Sequence, residues 1–293
     1  MNNILITGGG GLLGQHLLPI LKSRFNIWST SRSEKPDDGS LKWIQCDLSG
    51  NLQDLDKALP EKIDAVIHLA QSAHFRNFPA QARHIYNVNI ASTMFLLEAA
   101  ANRGCTHFIN ASSGGVYQAG DKVLYENNLH LQGAQMGLYP ASKLCSELLV
   151  NSYQSLFNAI NLRFFFIYGR GQENSMLIPR LLNSVREEKP ISLAGESGLR
   201  INPVHATDAA SAVVRCLDLE DSATINIAGP DTVSLKELAT LMGDSVGQAP
   251  VFDTQPDQPT NDLVADISLM KKLLVTPEMK LTEGIADYCE FTA

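Results

Sequence analysis

The sequence predicts an α/β protein with a doubly wound parallel sheet followed by a smaller C-terminal α/β lobe. Three observations predict it. Short apolar runs alternate with helical patterns from residue 3 to about residue 112. A glycine-rich stretch at residues 8–14 joins the first run to the first helix. Beyond about residue 170 the alternating elements become shorter and less regular.

Asn3-Ile4-Leu5-Ile6-Thr7 has the pattern of a short buried strand. Gly8-Gly9-Gly10-Gly11-Leu12-Leu13-Gly14 follows, and Leu17, Leu18 and Leu21 mark the helix after it. Strand, glycine loop and helix in this order are the context of a dinucleotide fingerprint. Gly8 would allow the tight turn, Gly11 the approach of backbone to a pyrophosphate, and Gly14 close packing of helix on strand. The spacing Thr7-Gly8-x-x-Gly11-x-x-Gly14 is one residue longer between its first two glycines than the common form.

The second strand is Phe25 to Thr30. Where an NAD-binding domain places an acid for the ribose hydroxyl, this chain has Ser31 and then Arg32. A small hydroxyl with an arginine suits a 2′-phosphate, which tilts the cofactor toward NADP. Trp43 to Cys46 reads as the third strand and closes on Asp47-Leu48. A helical stretch near Leu55 to Leu59 precedes the fourth, Asp64 to Ala70. Residues 80 to 103 read as one long helix stopped by Gly104. Thr106 to Ala111 is the fifth strand and runs into Ser112-Ser113-Gly114-Gly115-Val116-Tyr117. The glycine loop, Arg32, Asp47, Ala70 and Ser113 thus all fall at the carboxyl ends of strands, where such sheets bind ligands.

Tyr139 and Lys143 are four apart, so they share one face of a helix, with Pro140 in its first turn. A free phenol titrates near ~10, and a neighbouring ammonium favours its ionised form, so Tyr139 is expected to act as an acid/base with a lowered pKa. Ile160 to Tyr168 reads as the sixth strand, with Phe164, Phe165 and Phe166 filling the core, and Gly169-Arg170-Gly171 breaks it. Residues 1–168 form the expected dinucleotide-binding domain, with segments near 201–208 and 223–229 returning to the sheet. Residues 169–293 form the expected substrate-binding lobe, placed over the strand ends.

Composition sets the outer bounds. The 293 residues are 44% hydrophobic and 18% charged, with a formal net charge of −8. That balance speaks against nucleic acid or an anionic membrane as a bulk partner. The five cysteines are scattered and show no metal-ligand spacing, and the seven histidines show none either, so no metal site is expected. No apolar run is long enough to span a bilayer, and the polar N-terminus has no basic n-region, so the cytoplasm is the expected location. His68 reads as a packed strand-end residue; His74, in the loop beyond it, could face substrate.

Thr7-Gly8-x-x-Gly11-x-x-Gly14, Asp47-Leu48, His68-Leu69-Ala70, Ser112-Ser113-Gly-Gly-Val116-Tyr117, Tyr139-x-x-x-Lys143 and Leu162-Arg163-Phe-Phe-Phe-Ile-Tyr168-Gly169 occur in this order. Together they resemble the extended short-chain dehydrogenase/reductases, and within them the NAD-dependent epimerase/dehydratase family. The resemblance covers nearly the whole chain. It implies a Rossmann domain, a nucleotide-sugar substrate, and a homodimer built on the helices near 80–103 and 139–157. It assigns Tyr139 as acid/base, Lys143 as its modulator and a ribose ligand, and Ser113 as the holder of the reacting oxygen. It places Gly8, Gly11, Leu12, Leu13, Gly14, Ser31, Arg32, Asp47, Leu48, Leu69, Ala70, Gln71, Asn89, Tyr139, Lys143 and Phe166 on the cofactor. It places His74, Ser113 and Arg200 on the substrate. Phe166 stands where many epimerases have asparagine. Gly114 and Gly115 stand where family dehydratases carry an acidic pair, which argues against a dehydratase. Gly115 also stands where one class of 3,5-epimerase carries a cysteine. The stretch 118–137 is unusual for the family and would reshape the pocket or form a lid.

The implied activity is NAD(P)-dependent C4 epimerisation or 4-keto reduction of a nucleotide-linked sugar. Two other readings remain at this stage: reduction of a non-sugar carbonyl of steroid or phenolic type, and a non-catalytic dinucleotide sensor.

Overall fold

Ile4, Leu5 and Ile6 are almost wholly buried, as a strand covered on both faces requires. They form β1 (Asn3–Thr7) of a seven-stranded sheet. The computed structural model describes residues 1–128 and 136–292. The other strands of the sheet are β2 (Asn26–Ser31), β3 (Leu41–Gln45), β4 (Ala65–His68), β5 (His107–Ser113), β6 (Asn158–Phe164) and β9 (Ala223–Ile227), in the order β3-β2-β1-β4-β5-β6-β9. β1 pairs in parallel with β2 and with β4, β2 with β3, and β4 with β5. The chain order reverses between β1 and β4, which opens a crevice at their carboxyl ends. Thr7 and His68 are partners in register there.

Helices α1 (Leu12–Leu21), α2 (Gln53–Ala58), α3 (Ala82–Tyr86), α4 (Ser92–Asn102) and α5 (Leu138–Asn151) connect these strands. Leu5, Val66 and Phe108 from the sheet meet Leu96, Leu97 and Val150 from the helices in one apolar cluster. The stretch expected as a single helix over 80–103 is α3, a π-helical turn at Asn87–Ala91, and α4. The wider turn carries Asn89, which is buried and hydrogen-bonded through its side chain. The sixth strand ends at Phe164, earlier than its apolar run implied. Phe166 has left the strand with a φ of 44°.

By contacts the chain divides into two units. The first holds residues 1–116, 136–163 and 210–225 and carries the glycine loop, Ser113, Tyr139 and Lys143. The second holds residues 117–128, 164–209 and 226–292. Within the second, β7 (Ile191–Ala194) pairs in parallel with β11 (Phe252–Gln255), and β8 (Arg200–Ile201) pairs antiparallel with β10 (Val233–Ser234). Helices α6 (Leu177–Arg186), α8 (Leu235–Val246) and α10 (Leu281–Phe291) pack with them around Ile178, Leu193, Leu238 and Ile285; α9 (Ser268–Leu273) is a shorter helix. A capping box between Ser234 and Glu237 starts α8. Helix α7 (Ala206–Arg215) precedes β9.

His68 is 2% exposed and fully satisfied. Thr93 Oγ1 donates to the Asn89 carbonyl, so it accepts from His68 Nε2–H at 3.0 Å. His68 Nδ1 then accepts the Thr7 hydroxyl at 2.6 Å. Burial, and then the charge of Lys143, push the imidazole pKa down to about 3. An unfolded histidine titrates near ~6.5, so the unfolded chain takes up this proton first and stability is lost as pH falls from there toward about 3. Denaturant titrations at two pH values are the check. Between neutral pH and ~5 the protein should lose roughly 2 kcal/mol more stability than His68→Gln loses over the same interval.

Candidate active site

The glycine loop lies directly after β1, at the crevice. Gly8 turns the chain with a φ of 76°, and the Gly11 amide donates to the Gly8 carbonyl at 3.0 Å. A Cβ on Gly8 would come within 2.8 Å of the Ala70 backbone nitrogen, so neither its dihedral nor its surroundings admit a side chain. A Cβ on Gly14 would collide with the Gly9 backbone, so the close approach here is of helix on loop rather than helix on strand. Gly11 is the N-cap of α1 and supplies no side-chain cap, which leaves the first-turn amides from Leu12 onward for an anion. A bare backbone cradle at a helix N-terminus at the sheet's switch point fits a dinucleotide pyrophosphate.

The neighbouring strand ends hold the other expected cofactor residues. Leu69 donates its amide to the Thr7 carbonyl at 3.0 Å, and the Ala70 amide reaches Thr7 Oγ1 at 3.3 Å. Ser31 closes β2 and Arg32 beyond it is exposed. Asp47 accepts the Ser49 amide and hydroxyl at 2.9 and 2.8 Å, and these bonds hold its carboxyl below the usual range. Leu48 is buried. Lys35 was not singled out by sequence; its ammonium lies 4.4 Å from the Trp43 ring centroid and 2.9 Å from where a Cβ on Gly10 would stand. Nothing in the polar loop after β2 marks that lysine in advance.

Ser113, Tyr139 and Lys143 come together where β5 meets α5. The Ser113 hydroxyl accepts the Gly115 amide at 3.1 Å and lies near enough to the Tyr139 phenol to favour its ionised form. Lys143 is 4% exposed and its Nζ donates to the Ala111 carbonyl at 2.7 Å. Tyr139 is half-buried, packs its ring 5.0 Å from that of Phe75, and donates its hydroxyl to Gln71 Oε1 at 3.0 Å. The expectation that the phenol pKa is lowered is corrected here. Burial raises it, against smaller lowering effects of Ser113 and Arg76. Lys143 itself is pushed down to about 8, first by burial, with Glu147 opposing.

Asn89 bridges the two sides: Oδ1 accepts the Ser72 amide at 2.9 Å and Nδ2 donates to Ser142 Oγ at 2.8 Å. Ser142 in turn donates to the Tyr139 carbonyl at 2.7 Å. His74 stands T-shaped against His84, 4.7 Å between centroids, and His84 Nδ1 contacts Ser72 Oγ at 2.8 Å. Phe166 and Arg200 belong to the second unit. Phe166 packs partly against that unit's apolar cluster, and Arg200 is exposed with its amide bonded to Asp262 at 2.9 Å. Of the unusual stretch 118–137, residues 129–135 lie outside the described residues. Among the described residues no cluster of histidine, cysteine and carboxylate side chains could hold a metal ion, and no helix is long and apolar enough to cross a membrane.

A glycine cradle at the switch point, with a tyrosine–lysine pair beside a strand-end serine, defines a dinucleotide-dependent enzyme of the extended short-chain dehydrogenase/reductase class. A model of the NAD dependent epimerase/dehydratase family matches residues 4–228, and the chain belongs to that family. A dTDP-4-dehydro-6-deoxyglucose reductase of Escherichia coli is 26% identical over 97% of this chain and 95% of its own length. A UDP-glucuronate 4-epimerase of Thermodesulfobacterium geofontis is 26% identical over 97% of this chain and 89% of its own. Among solved structures, MoeE5 in complex with UDP-glucuronic acid and NAD superposes with a TM-score of 0.85 at 28% identity, covering 99% of each chain.

Gly8→Ala should cost ~1–3 kcal/mol of stability and weaken dinucleotide binding at least tenfold, about 1.4 kcal/mol. Gly120→Ala, where an added Cβ meets nothing within 4 Å, is the control that should change neither. Thermal melts and calorimetry read both effects.

Proposed function

We propose that this protein acts at C4 of a nucleotide-linked sugar, by epimerisation or by reduction of a 4-keto group, with NAD(P) as cofactor. The observation that carries this reading is the placement of Ser113 beside Tyr139, with Lys143 one helical turn on, in the unit that also holds the glycine cradle. The names of the relatives point the same way. Absence of an acidic pair at Gly114 and Gly115 favours this chemistry over dehydration.

In this reading Gly8, Gly11, Leu12, Leu13 and Gly14 hold the pyrophosphate. Asp47 and Leu48 meet adenine, and Leu69, Ala70, Gln71 and Phe166 line the cofactor, with Asn89 in support. His74, Ser113 and Arg200 bind substrate, and residues 169–293 serve as the substrate lobe. When bound, the nicotinamide supplies a hydride acceptor or donor. Ser113 holds the reacting oxygen, and Tyr139 Oη gives it a proton or takes one. The phenol, protonated and donating to Gln71, is in the state that serves reduction of a ketone. Oxidation of an alcohol calls for the phenolate, which the Lys143 ammonium stabilises.

With Ser31 and Arg32 standing where an NAD-binding domain places its acid, NADP is slightly favoured over NAD, and with it the reductase. Tyr86 on α3, Leu148 on α5 and Leu156 just beyond it are exposed apolar side chains on the helices that would pair in a homodimer. The place of work is the cytoplasm.

Tyr139→Phe should bind NADPH as the parent does yet lose roughly a hundredfold or more in turnover of UDP-, GDP-, CDP- or dTDP-linked sugars. Full activity in that variant would remove Tyr139 from the chemistry. Calorimetry should also show tighter binding of NADPH than of NADH, with the preference shrinking or reversing in Arg32→Ala/Lys35→Ala. Equal binding in both proteins would make NAD and epimerisation the better assignment.

A further inference from the structure

Helix α5 carries a third ionisable residue on the face of Tyr139 and Lys143. Glu147 lies one turn beyond Lys143 and is 2% exposed. Its carboxylate is fully occupied. Arg163 of β6 donates to it in a fork, Nε to Oε1 at 2.9 Å and an Nη to Oε2 at 2.7 Å, and Ser112 Oγ donates to Oε1. Arg163 is itself 4% exposed. Ser112 is the residue between Ala111, whose carbonyl holds Lys143, and Ser113, which lies beside Tyr139.

We propose that Glu147 is a positioning residue that holds Lys143 charged and docked on the end of β5, and through it sets the Tyr139 acid/base. Glu147 is forked by Arg163, stands one helical turn from Lys143, and is tied through Ser112 to the residue next to the carbonyl that holds the Lys143 ammonium. Lys143 and Arg163 both lie out of water, where an unpaired charge is costly. The titratable and charged groups that face Lys143 are Tyr139 and Glu147 of its own helix, His68 of β4, and Arg163 of β6 through Glu147. His68 is neutral and Arg163 repels the ammonium, so Glu147 is the one anion among these groups. Removing it takes the fork from Arg163 and favours loss of the Lys143 proton. Ser112 and the Arg163 fork fix the carboxylate's place, so this control is geometric as well as electrostatic. The inference rests on the reading of Tyr139 and Lys143 as the reacting pair, but its test does not need a substrate.

The experiment is a titration of isotope-labelled lysine by NMR, with the Lys143 signal assigned from Lys143→Met. In Glu147→Gln the Lys143 midpoint should fall by about one pH unit or more. Glu147→Gln/Arg163→Met removes the ion pair together, which a core tolerates better than a single stranded charge. Its midpoint should fall less, between the other two, and the alkaline limb of the cofactor-dependent pH–rate profile should move in the same order. A Lys143 midpoint that stays at the parent value in the folded double variant, or in the folded single variant, would overturn the proposal and leave Glu147 a packing residue. Failure of every nucleotide sugar to react would count against the proposed function and not against this titration.

Discussion

The end of β5 is docked on α5 by three successive residues, and the rest of the site depends on that docking. Ala111 takes the Lys143 ammonium, Ser112 bonds Glu147, and Ser113 lies beside Tyr139. Residues 139, 143 and 147 are spaced by one helical turn each, so a strand end and one helix face meet along two turns. Asn110 extends the seam, donating to Ser146 Oγ at 3.2 Å and to Asn161 Oδ1 at 2.9 Å. Every one of these groups is polar, and Asn110, Ser112, Lys143, Ser146 and Glu147 are all buried. Such a seam is stable only when each member is satisfied, which makes it rigid.

A second chain of bonds joins this seam to the glycine loop. It runs from the Ala70 amide to Thr7, then through His68 and Thr93 to the Asn89 carbonyl. The Asn89 side chain carries it through Ser142 to the Tyr139 carbonyl. The residue before Gly8 and the backbone of Tyr139 are therefore parts of one buried network. The glycine loop and Tyr139 are placed relative to each other by side-chain hydrogen bonds rather than by packing alone. Histidine suits the middle of this chain because its two nitrogens, one donor and one acceptor, pass the bond direction on.

Much of this is legible in the residues. Continuous apolar runs locate β1, β4 and β5, and the glycine loop between β1 and α1 is evident from its order in the chain. Tyr139, Lys143 and Ser113 follow from spacing and motif, and the structure brings them together. What periodicity does not carry is inward-facing polarity. The π turn at Asn87–Ala91 keeps a helical pattern in sequence, and only the buried Asn89 bonds reveal it. Glu147 and Arg163 are 16 residues apart on different elements, so no local rule pairs them. β11 lies in a stretch rich in proline, aspartate and glutamine and is held by pairing with β7, not by its own propensity. The phenol's pKa is raised by burial, which is a fact of tertiary geometry.

The central claim is chemistry at C4 in which a proton moves on oxygen and the carbon's own hydrogen is kept from solvent. The most direct test is turnover of a nucleotide sugar deuterated at C4, read by proton NMR after reaction in ordinary water. Hydride chemistry predicts an inverted C4 centre with the label retained, or, starting from the 4-keto sugar with NADPH, a new C4 alcohol whose hydrogen comes from the cofactor. Loss of the C4 label to solvent, or change at another carbon with C4 untouched, would contradict it.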